Sequence, residues 1–329
     1  MRAARGSDRA WRRLVVCAVL GGCGFQSHPG APTDADPGDA ANRGDDAGDG
    51  SIAASDCLPQ WRDHTVRISS SSVHEITELS SSGEDRNPWI SDDGLRMYFS
   101  RDVALVSRSD IYFTSRASRS LRFTSPGVVI PNLNSDSREG RPSLSSDETI
   151  FAVSTDRDGQ LDIHMTTRLT SGLGVPEAPH LALVNGIGTQ RIDPFLSGDG
   201  LRLYLASNTG PVGKLQLWTA TRTSTGDDFV APALVPGIND NSLNETDPAL
   251  SRDERVLVYS AYPNSETGDL RYATRSTATG SFGSPLEIPG VNTDANEFDP
   301  VLSADGCELY FASTRRDAKF HLFRADVTR

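Results

Sequence analysis

From residue 85 onward the chain alternates short apolar runs with short polar segments, and one order of segments recurs five times. Each unit opens on a proline-containing motif that continues into Ser, Asp and then Gly or Glu; the prolines are Pro88, Pro142, Pro194, Pro248 and Pro300. Successive prolines are 54, 52, 54 and 52 residues apart. A constant period near 50 residues is typical of a propeller or another repeat architecture. No segment keeps an apolar period of 3.6 residues, so we expect little or no helix.

Each unit contains the parts of a four-stranded antiparallel blade. The first strand begins at the proline, where a missing N–H does least harm, and ends in the Asp-containing turn. Three further runs rich in aromatic and aliphatic residues follow in each unit. The predicted second strands are Leu95–Ser100, Thr149–Ser154, Leu201–Ser207, Arg255–Ser260 and Cys307–Ser313. The predicted third strands are Asp110–Arg116, Leu161–Arg168, Leu215–Arg222, Asp269–Arg275 and Phe320–Ala325. The predicted fourth strands are Val128–Leu133, Leu181–Ile187, Ala233–Ile238 and Leu286–Val291.

The fifth unit lacks a fourth strand, because the sequence reaches Arg329 after its third. The segment His74–Leu79 precedes the first motif at the matching offset and resembles the strand that begins at Leu286. We therefore predict an all-β propeller of about five blades, closed by an N-terminal strand that completes the last blade. Closure of this kind hides sheet edges. A sixth, degenerate blade built from residues 57–80 stays an open alternative.

The repeat resembles the TolB-like, WD40-like propeller repeat of bacterial envelope proteins. Residues 299–313 carry it almost throughout, as Asp-Pro-x-Leu-Ser-x-Asp-Gly-x-x-Leu-Tyr-Phe-x-Ser. The resemblance covers roughly residues 74–329 and implies a β-propeller at residues 57–329. It also implies a binding or protein-interaction module of the envelope, with a protein, peptide or glycan as its partner. Fold alone does not settle function.

The N-terminal residues predict an export signal. Residues 1–22 combine basic residues with a short apolar run that ends at Leu20, and Cys23 follows two glycines. This ending resembles the lipobox of bacterial lipoproteins, which implies lipidation of Cys23 and an outer-membrane location facing the periplasm or the cell surface. An ordinary signal cleaved elsewhere is the alternative. Residues 23–56 are rich in Asp, Gly and Pro, so we expect a disordered linker.

The acidic net charge of the chain argues against nucleic acids as partners. Without residues 1–22 the chain carries 27 basic and 43 acidic residues. A surface of this sign repels nucleic-acid phosphates, so we expect no nucleic-acid binding. We expect a monomer that meets the membrane only through its lipid anchor.

Two cysteines remain besides Cys17 and Cys23. Cys57 precedes the closing strand, and Cys307 begins the second strand of the blade that this strand would join. In an oxidising compartment a disulfide between them would tie the two chain ends together. The loop-entropy model assigns such a link about 4–5 kcal/mol at most. Two buried, unpaired thiols are the alternative.

A search for catalytic motifs finds neither His-Glu-x-x-His nor Gly-x-Ser-x-Gly. We therefore predict that the chain is not an enzyme and requires no cofactor. The alternative is a carbohydrate-active enzyme with carboxylates in the propeller funnel, since glycoside hydrolysis needs two carboxyl groups across a sugar. The many carboxylates of this chain recur at equivalent repeat positions, which argues against a catalytic pair.

The loop that leads into each proline motif is the most distinctive polar feature. It should lie near the mouth of the central channel. The predicted binding face comprises Glu139, Asp193, Asp240, Glu245, Asp247, Asp294, Glu297 and Asp299. These carboxylates either cap backbone N–H groups between blades or form an acidic mouth for a cation or a basic partner. Asp240 and Asp294 are weak calcium candidates, while Arg141 and Arg191 interrupt the negative charge.

Overall fold

The computed structural model describes residues 56–103, 108–169, 172–178, 180–209, 213–263 and 267–328. The predicted signal, the lipidation site Cys23 and all of the linker except Asp56 lie outside these residues. The described residues begin with helix α1 (Leu58–Arg62) and strand β1 (Ile68–Glu75), followed by a 3₁₀ turn at Thr77–Leu79.

Five four-stranded antiparallel sheets form a five-bladed propeller, as predicted. Blade 1 contains β2 (Asp85–Ile90), β3 (Arg96–Asp102), β4 (Ser109–Ser115) and β5 (Val128–Val129). Blade 2 contains β6 (Glu139–Leu144), β7 (Ile150–Thr155), β8 (Asp162–Leu169) and β9 (Gly172–Leu173). Blade 3 contains β10 (Arg191–Leu196), β11 (Arg202–Ser207), β12 (Gln216–Thr221) and β13 (Ala233–Leu234). Blade 4 contains β14 (Asn244–Leu250), β15 (Val256–Tyr262), β16 (Asp269–Thr274) and β17 (Leu286–Glu287). Blade 5 contains β18 (Glu297–Leu302), β19 (Glu308–Ser313), β20 (His321–Val327) and β1.

The core lies between the blades. Every residue of the second strands β7 and β19 is buried, because alternate side chains contact the two neighbouring blades. The first strands β2, β6, β10, β14 and β18 each neighbour the first strands of the adjacent blades, which arranges them around one central channel. Residues that follow the motif prolines, including Trp89 and Phe195, point into this channel.

The ring closes through the N-terminal strand, which confirms the prediction. Strand β1 pairs antiparallel with β20, and Val73 lies opposite Ala325. The strand spans Ile68–Glu75, so it overlaps the predicted His74–Leu79 only at His74 and Glu75. The rest of the predicted range is not strand, because Thr77–Leu79 form the 3₁₀ segment.

The fourth strands of blades 1 to 4 are only two residues long. In blades 1, 3 and 4 they begin where predicted and end earlier. In blade 2 the prediction of Leu181–Ile187 is wrong, because the fourth strand is Gly172–Leu173 and residues 182–186 form turns. In each of these blades an asparagine side chain pairs with the third strand as a backbone strand would. Asn239 accepts a hydrogen bond from the N–H of Leu217 over 2.7 Å and donates to the carbonyl of the same residue over 3.1 Å. The equivalent pairs are Asn134 with Ile111, Asn185 with Ile163, and Asn292 with Leu270. A side-chain amide thus satisfies the backbone groups that a longer edge strand would have paired.

Cys57 and Cys307, the predicted disulfide partners, are bonded with an S–S distance of 2.01 Å. Helix α1 follows directly, and its buried Trp61 donates from Nε1 to the carbonyl of Gly306 over 2.8 Å. The start of the described chain is therefore fixed to blade 5 both covalently and by packing. Within the described residues, neither helical segment has the length or apolarity to cross a bilayer.

Candidate functional site at the loop face

The propeller has two faces with different connections. We call the face that carries the loops into each first strand the loop face, and the opposite one, with the Ser-x-Asp turns, the turn face. Because neighbouring strands run antiparallel, the loops from second to third strands also lie on the loop face. The predicted binding residues all belong to the loop face or to the channel beneath it.

The residues three before each motif proline are buried inside the loops. They are Asp85, Glu139, Arg191, Glu245 and Glu297, and none is more than 3% exposed. Glu297 accepts hydrogen bonds from the N–H and hydroxyl of Thr293, from the hydroxyl of Ser313 over 2.9 Å, and from Nη2 of Arg315 over 3.0 Å. Glu139 has the same four kinds of contact in blade 2. These carboxylates cap backbone groups, which was one of the two interpretations of the sequence.

Glu245 in blade 4 lacks most of these partners. Its Oε1 accepts from the N–H of Asp240 over 2.7 Å, whereas no described residue hydrogen-bonds its buried Oε2. Burial is the main reason that its pKa rises to about 8, and the charge of Asp240 adds to the rise.

The residues directly before the prolines form a ring around the channel mouth. This pre-proline ring consists of Asn87, Arg141, Asp193, Asp247 and Asp299. Each has a φ between +54° and +58°. Each first strand also has a register shift at this point. Left-handed backbone is unfavourable for residues with a side chain, about 1–3 kcal/mol each, so the fold holds the ring in place against local preference.

The bulge turns the backbone N–H groups of the ring toward neighbouring blades. The N–H of Asn87 donates to Asp299 over 3.2 Å, and that of Asp247 donates to Asp193 over 3.3 Å. The amide of Asn87 also donates to Asp299 over 2.6 Å. Nε of Arg141 contacts Asp193 and lies 3.8 Å from Asp247. The ring therefore links the blades through side chains that differ from blade to blade.

The ring contains three carboxyl groups, those of Asp193, Asp247 and Asp299. Ionising all three in this small space would be unfavourable because like charges repel each other. Asp299 is almost fully buried, and Asp247 is its neighbour on the ring. Burial, followed by the negative charge of Asp247, raises the pKa of Asp299 well above the usual carboxyl range. Asp193 has the guanidinium of Arg141 beside it. The ring thus holds Asp299, which is inclined to keep its proton, and, two positions away, Asp193, whose carboxylate contacts a guanidinium.

Little space remains below the ring. The channel has room for about 40 Å³ under the loop face and about 50 Å³ near the turn face. A water molecule occupies about 30 Å³ of liquid, so only one or two water molecules fit at either end. A larger ligand would have to lie above the ring.

Such a space exists beside the ring. A cleft of about 530 Å³ opens between blades 1 and 2, and Asn87 and Arg141 belong to both its wall and the ring. Its charged lining consists of Arg86, Arg108, Arg138, Arg141, Glu84 and Asp102. We call this space the arginine cleft. Repeat analysis missed it, because Arg86 and Arg138 have no basic counterparts in the other blades.

The remaining predicted residues lie apart from the ring. Asp240 and Asp294 are exposed in the loops of blades 4 and 5. Asp240 accepts hydrogen bonds from the N–H and hydroxyl of Ser242. Across the described part of the chain, no group of three or more His, Cys, Asp or Glu side chains is arranged to hold a metal ion.

No protein-family model matches the chain, and no curated protein matches its sequence. Solved structures do match its fold. An α-L-arabinofuranosidase from Podospora anserina, in complex with cellotriose, is 12% identical with a TM-score of 0.52, covering 76% of this chain and 93% of that one. A thermostable family-43 glycoside hydrolase is 14% identical with a TM-score of 0.52, covering 76% and 91%. TolB from Acinetobacter baumannii is 14% identical with a TM-score of 0.46, and the match spans 76% of this chain and 56% of TolB. The five four-stranded blades confirm the predicted propeller fold.

The prediction that the chain is not an enzyme is wrong. Four glycoside hydrolases share its propeller fold at TM-scores of 0.50 to 0.52 and identities of 12 to 14%. The sequence argument treated the carboxylates as equivalent because they recur with the repeat. In the structure only Asp193, Asp247 and Asp299 occupy the ring as carboxylates, so these groups are specific to blades 3 to 5.

Proposed function

We propose that this propeller binds an acidic glycan on its loop face, in the arginine cleft beside the pre-proline ring. The observation that carries the proposal is the convergence of arginines on one cleft in a chain whose formal net charge is −12. The side chains of Arg86, Arg108 and Arg141 are each 28–30% exposed, so a ligand in the cleft can reach them.

Two of these arginines already lie beside carboxylates: Arg86 is 3.6 Å from Glu84 and 3.5 Å from Asp299, and Arg141 contacts Asp193. Arg108 pairs with Asp136, whose side chain is fully exposed, and such surface pairs contribute little. Arg86 stacks on the ring of Phe320 with its guanidinium carbon 3.8 Å from the centroid. A stacked, planar guanidinium is well placed for two parallel hydrogen bonds to a carboxylate.

The size and polar lining of the cleft favour a sugar chain. A volume of about 530 Å³ lies within the range of small-ligand sites, and serine and asparagine side chains lie between the charges. The similar Podospora anserina structure was solved with cellotriose, a sugar chain. A glycan with carboxylate groups would use both the hydroxyl-binding and the charged parts of this lining.

The test is titration calorimetry with oligogalacturonate, with a neutral cello-oligosaccharide and polyglutamate as comparisons. Arg108→Gln should weaken oligogalacturonate binding by about tenfold through loss of a charge-assisted contact. Arg122→Gln, which changes an exposed arginine in the loop between β4 and β5, is the matched control and should leave affinity unchanged. Equal binding of polyglutamate would identify an acidic peptide instead, and equal affinity in both variants would refute the cleft.

A second candidate function is hydrolysis of a glycosidic bond above the ring. Burial and the charge of Asp247 raise the pKa of Asp299, which would supply the proton, while the carboxylate of Asp193 contacts Nε of Arg141. A carboxyl group that keeps its proton is suited to the acid role, and glycoside hydrolysis needs a second carboxyl group beside it.

This candidate is tested with 4-nitrophenyl α-L-arabinofuranoside and related chromogenic glycosides. Asp299→Asn should lower kcat by about 100-fold or more, because general acid catalysis is lost. Asp199→Asn changes a turn-face carboxylate that accepts from Ser197 and Leu201, and kcat should not change. In the unchanged chain, activity should fall as pH rises through the pKa of Asp299. An Asp299→Asn protein that folds and keeps full kcat would contradict the assignment.

We propose that the chain acts in the bacterial envelope, anchored through lipid on Cys23. The support is the sequence from Met1 to Cys23: a basic start, an apolar run and a lipobox-like ending. Metabolic labelling with an alkyne fatty acid should mark the chain and fail with Cys23→Ser. Cys17→Ser is the matched control, and label on both variants would contradict the proposal.

A further inference from the structure

Three blades carry an arginine with the same local contacts at the end of the third strand. Arg222 donates from Nε to the carbonyl of Gly200 and from Nη1 to the carbonyl of Thr225, both over 2.8 Å. Its guanidinium lies over the ring of Phe229 at 4.5 Å. The corresponding arginines are Arg116 in blade 1 and Arg275 in blade 4.

In blades 1 and 4 the remaining nitrogen, Nη2, has two partners. Nη2 of Arg116 donates to the phenol oxygen of Tyr310 over 2.9 Å and lies 3.6 Å from the carboxylate of Glu308. The partners of Arg275 are Tyr204 at 2.9 Å and Glu254 at 3.4 Å.

In blade 3 all of these partner positions are changed. The strand position of Tyr204, opposite Phe195, is occupied by Ala152, opposite Ser143, in blade 2. By repeat spacing, the positions of Glu308 and Glu254 are taken by Ile150 and Gly200. Arg222 is only 7% exposed, and no described residue hydrogen-bonds its buried Nη2. Burial lowers the pKa of Arg222, and the charge of Asp227 offsets part of this effect.

A large cavity adjoins this arginine. It measures about 730 Å³, lies between blades 2 and 3 toward the turn face, and is bordered by Arg222, Ile150, Met165, Val175, Thr225 and His180. A buried guanidinium nitrogen without a hydrogen-bond partner is costly, and Nη2 of Arg222 is such a group among the described residues. The lining of the adjoining cavity combines apolar side chains with the carboxylates of Asp147, Glu177 and Asp199. The loop-face cleft is on the other side of the propeller.

We propose that this cavity binds an organic carboxylate, whose carboxylate group supplies Arg222 with the partner that Tyr and Glu supply in the other blades. The apolar part of the ligand packs against Ile150, Met165 and Val175. The site is independent of the glycan proposed for the loop face.

The test uses the full chain and benzoate as the probe, with benzyl alcohol as its uncharged counterpart. Besides Met1, the chain has two methionines, Met97 and Met165, so ¹³C-methyl NMR reports on the cavity without any mutation. Benzoate should shift the Met165 resonance with a dissociation constant on the order of 1 mM, and leave Met97, buried in another blade, unchanged. Absence of a Met165 shift, or an equal shift with benzyl alcohol, would overturn the proposal.

Two substitutions sharpen the result. Ile150→Glu places a carboxylate at the position equivalent to Glu308, which lies beside Arg116 in blade 1. The new carboxylate should pair with Arg222. It should therefore abolish the benzoate-induced shift of Met165 and keep or raise the melting temperature. Arg222→Gln should weaken benzoate by about tenfold. Undiminished binding in both folded variants would overturn the role of Arg222. If either variant fails to fold, the unmutated chain still decides through the contrast between benzoate and benzyl alcohol.

Discussion

Glu297 in blade 5 and Glu245 in blade 4 occupy equivalent positions, yet their electrostatic surroundings differ. Opposite Glu297 on the second strand lies Ser313, and Arg315 follows two residues later. Opposite Glu245 lies Ala261, and the position two residues later is Pro263. The first carboxylate accepts hydrogen bonds from hydroxyls and a guanidinium. Among the described residues, only the N–H of Asp240 donates to the second, and the charge of Arg271 acts on it without a hydrogen bond. A repeat therefore preserves the place of a side chain without preserving the groups that surround it.

The substitution with the largest expected effect is Glu297→Gln, which removes the carboxylate that pairs with Arg315. Glu297→Gln leaves the guanidinium of Arg315 without its buried carboxylate, and should lower the free energy of unfolding by about 3 kcal/mol. Urea unfolding near neutral pH measures the change. A loss no greater than that of Glu245→Gln would show that the two sites are alike.

Glu245→Gln should act in the opposite direction. The pKa of Glu245 is about 8 in the folded chain, above its unfolded value, so the folded state holds the proton longer. Stability from this group is complete below the unfolded pKa and is lost as pH rises through about 8. The variant should be more stable than the original near pH 9 by about 2 kcal/mol, with little difference near pH 4. A gain that does not depend on pH would contradict the raised pKa.

The substitution with the smallest expected effect gives Glu245 one of the hydrogen-bond donors that Glu297 has. Ala261→Ser supplies the hydroxyl that Ser313 provides in blade 5, and should add about 1 kcal/mol through one hydrogen bond to Glu245. It should also lower the pKa of Glu245, which would shift the pH dependence of unfolding to lower pH. Ala312→Ser, a buried change on the same kind of strand but next to the matched position, is the control and should not stabilise.

Much of the fold follows from residues visible in the sequence. The motif prolines fix the period, and the missing strand of the fifth unit points to the N-terminal segment that closes the ring. The early ends of the fourth strands were not predictable, because Asn134 or Asn239 imitates a strand only once the opposite strand is in place.

The sites depend on what lies beside each residue in the neighbouring blade. The pre-proline carboxylates were identified, but their proton affinities arise from contacts such as that between Asp299 and Asp247. The position ten residues after each motif proline is Tyr in blades 1, 3 and 5, Ala152 in blade 2 and Val258 in blade 4. The loss of tyrosine at Ala152 was therefore visible in the sequence. Its meaning needed the knowledge that this position faces Arg222, which only packing shows.

The covalent link between Cys57 and Cys307 also has a mechanical consequence. Tension applied to residue 56 and to the C-terminal end would pass through the sulfur atoms directly into β19 and β20. The chain between the two cysteines, which includes blades 1 to 4, would carry no tension. Stretching the oxidised protein should therefore release only the short tail beyond Cys307, while reduction should expose the whole ring to the load.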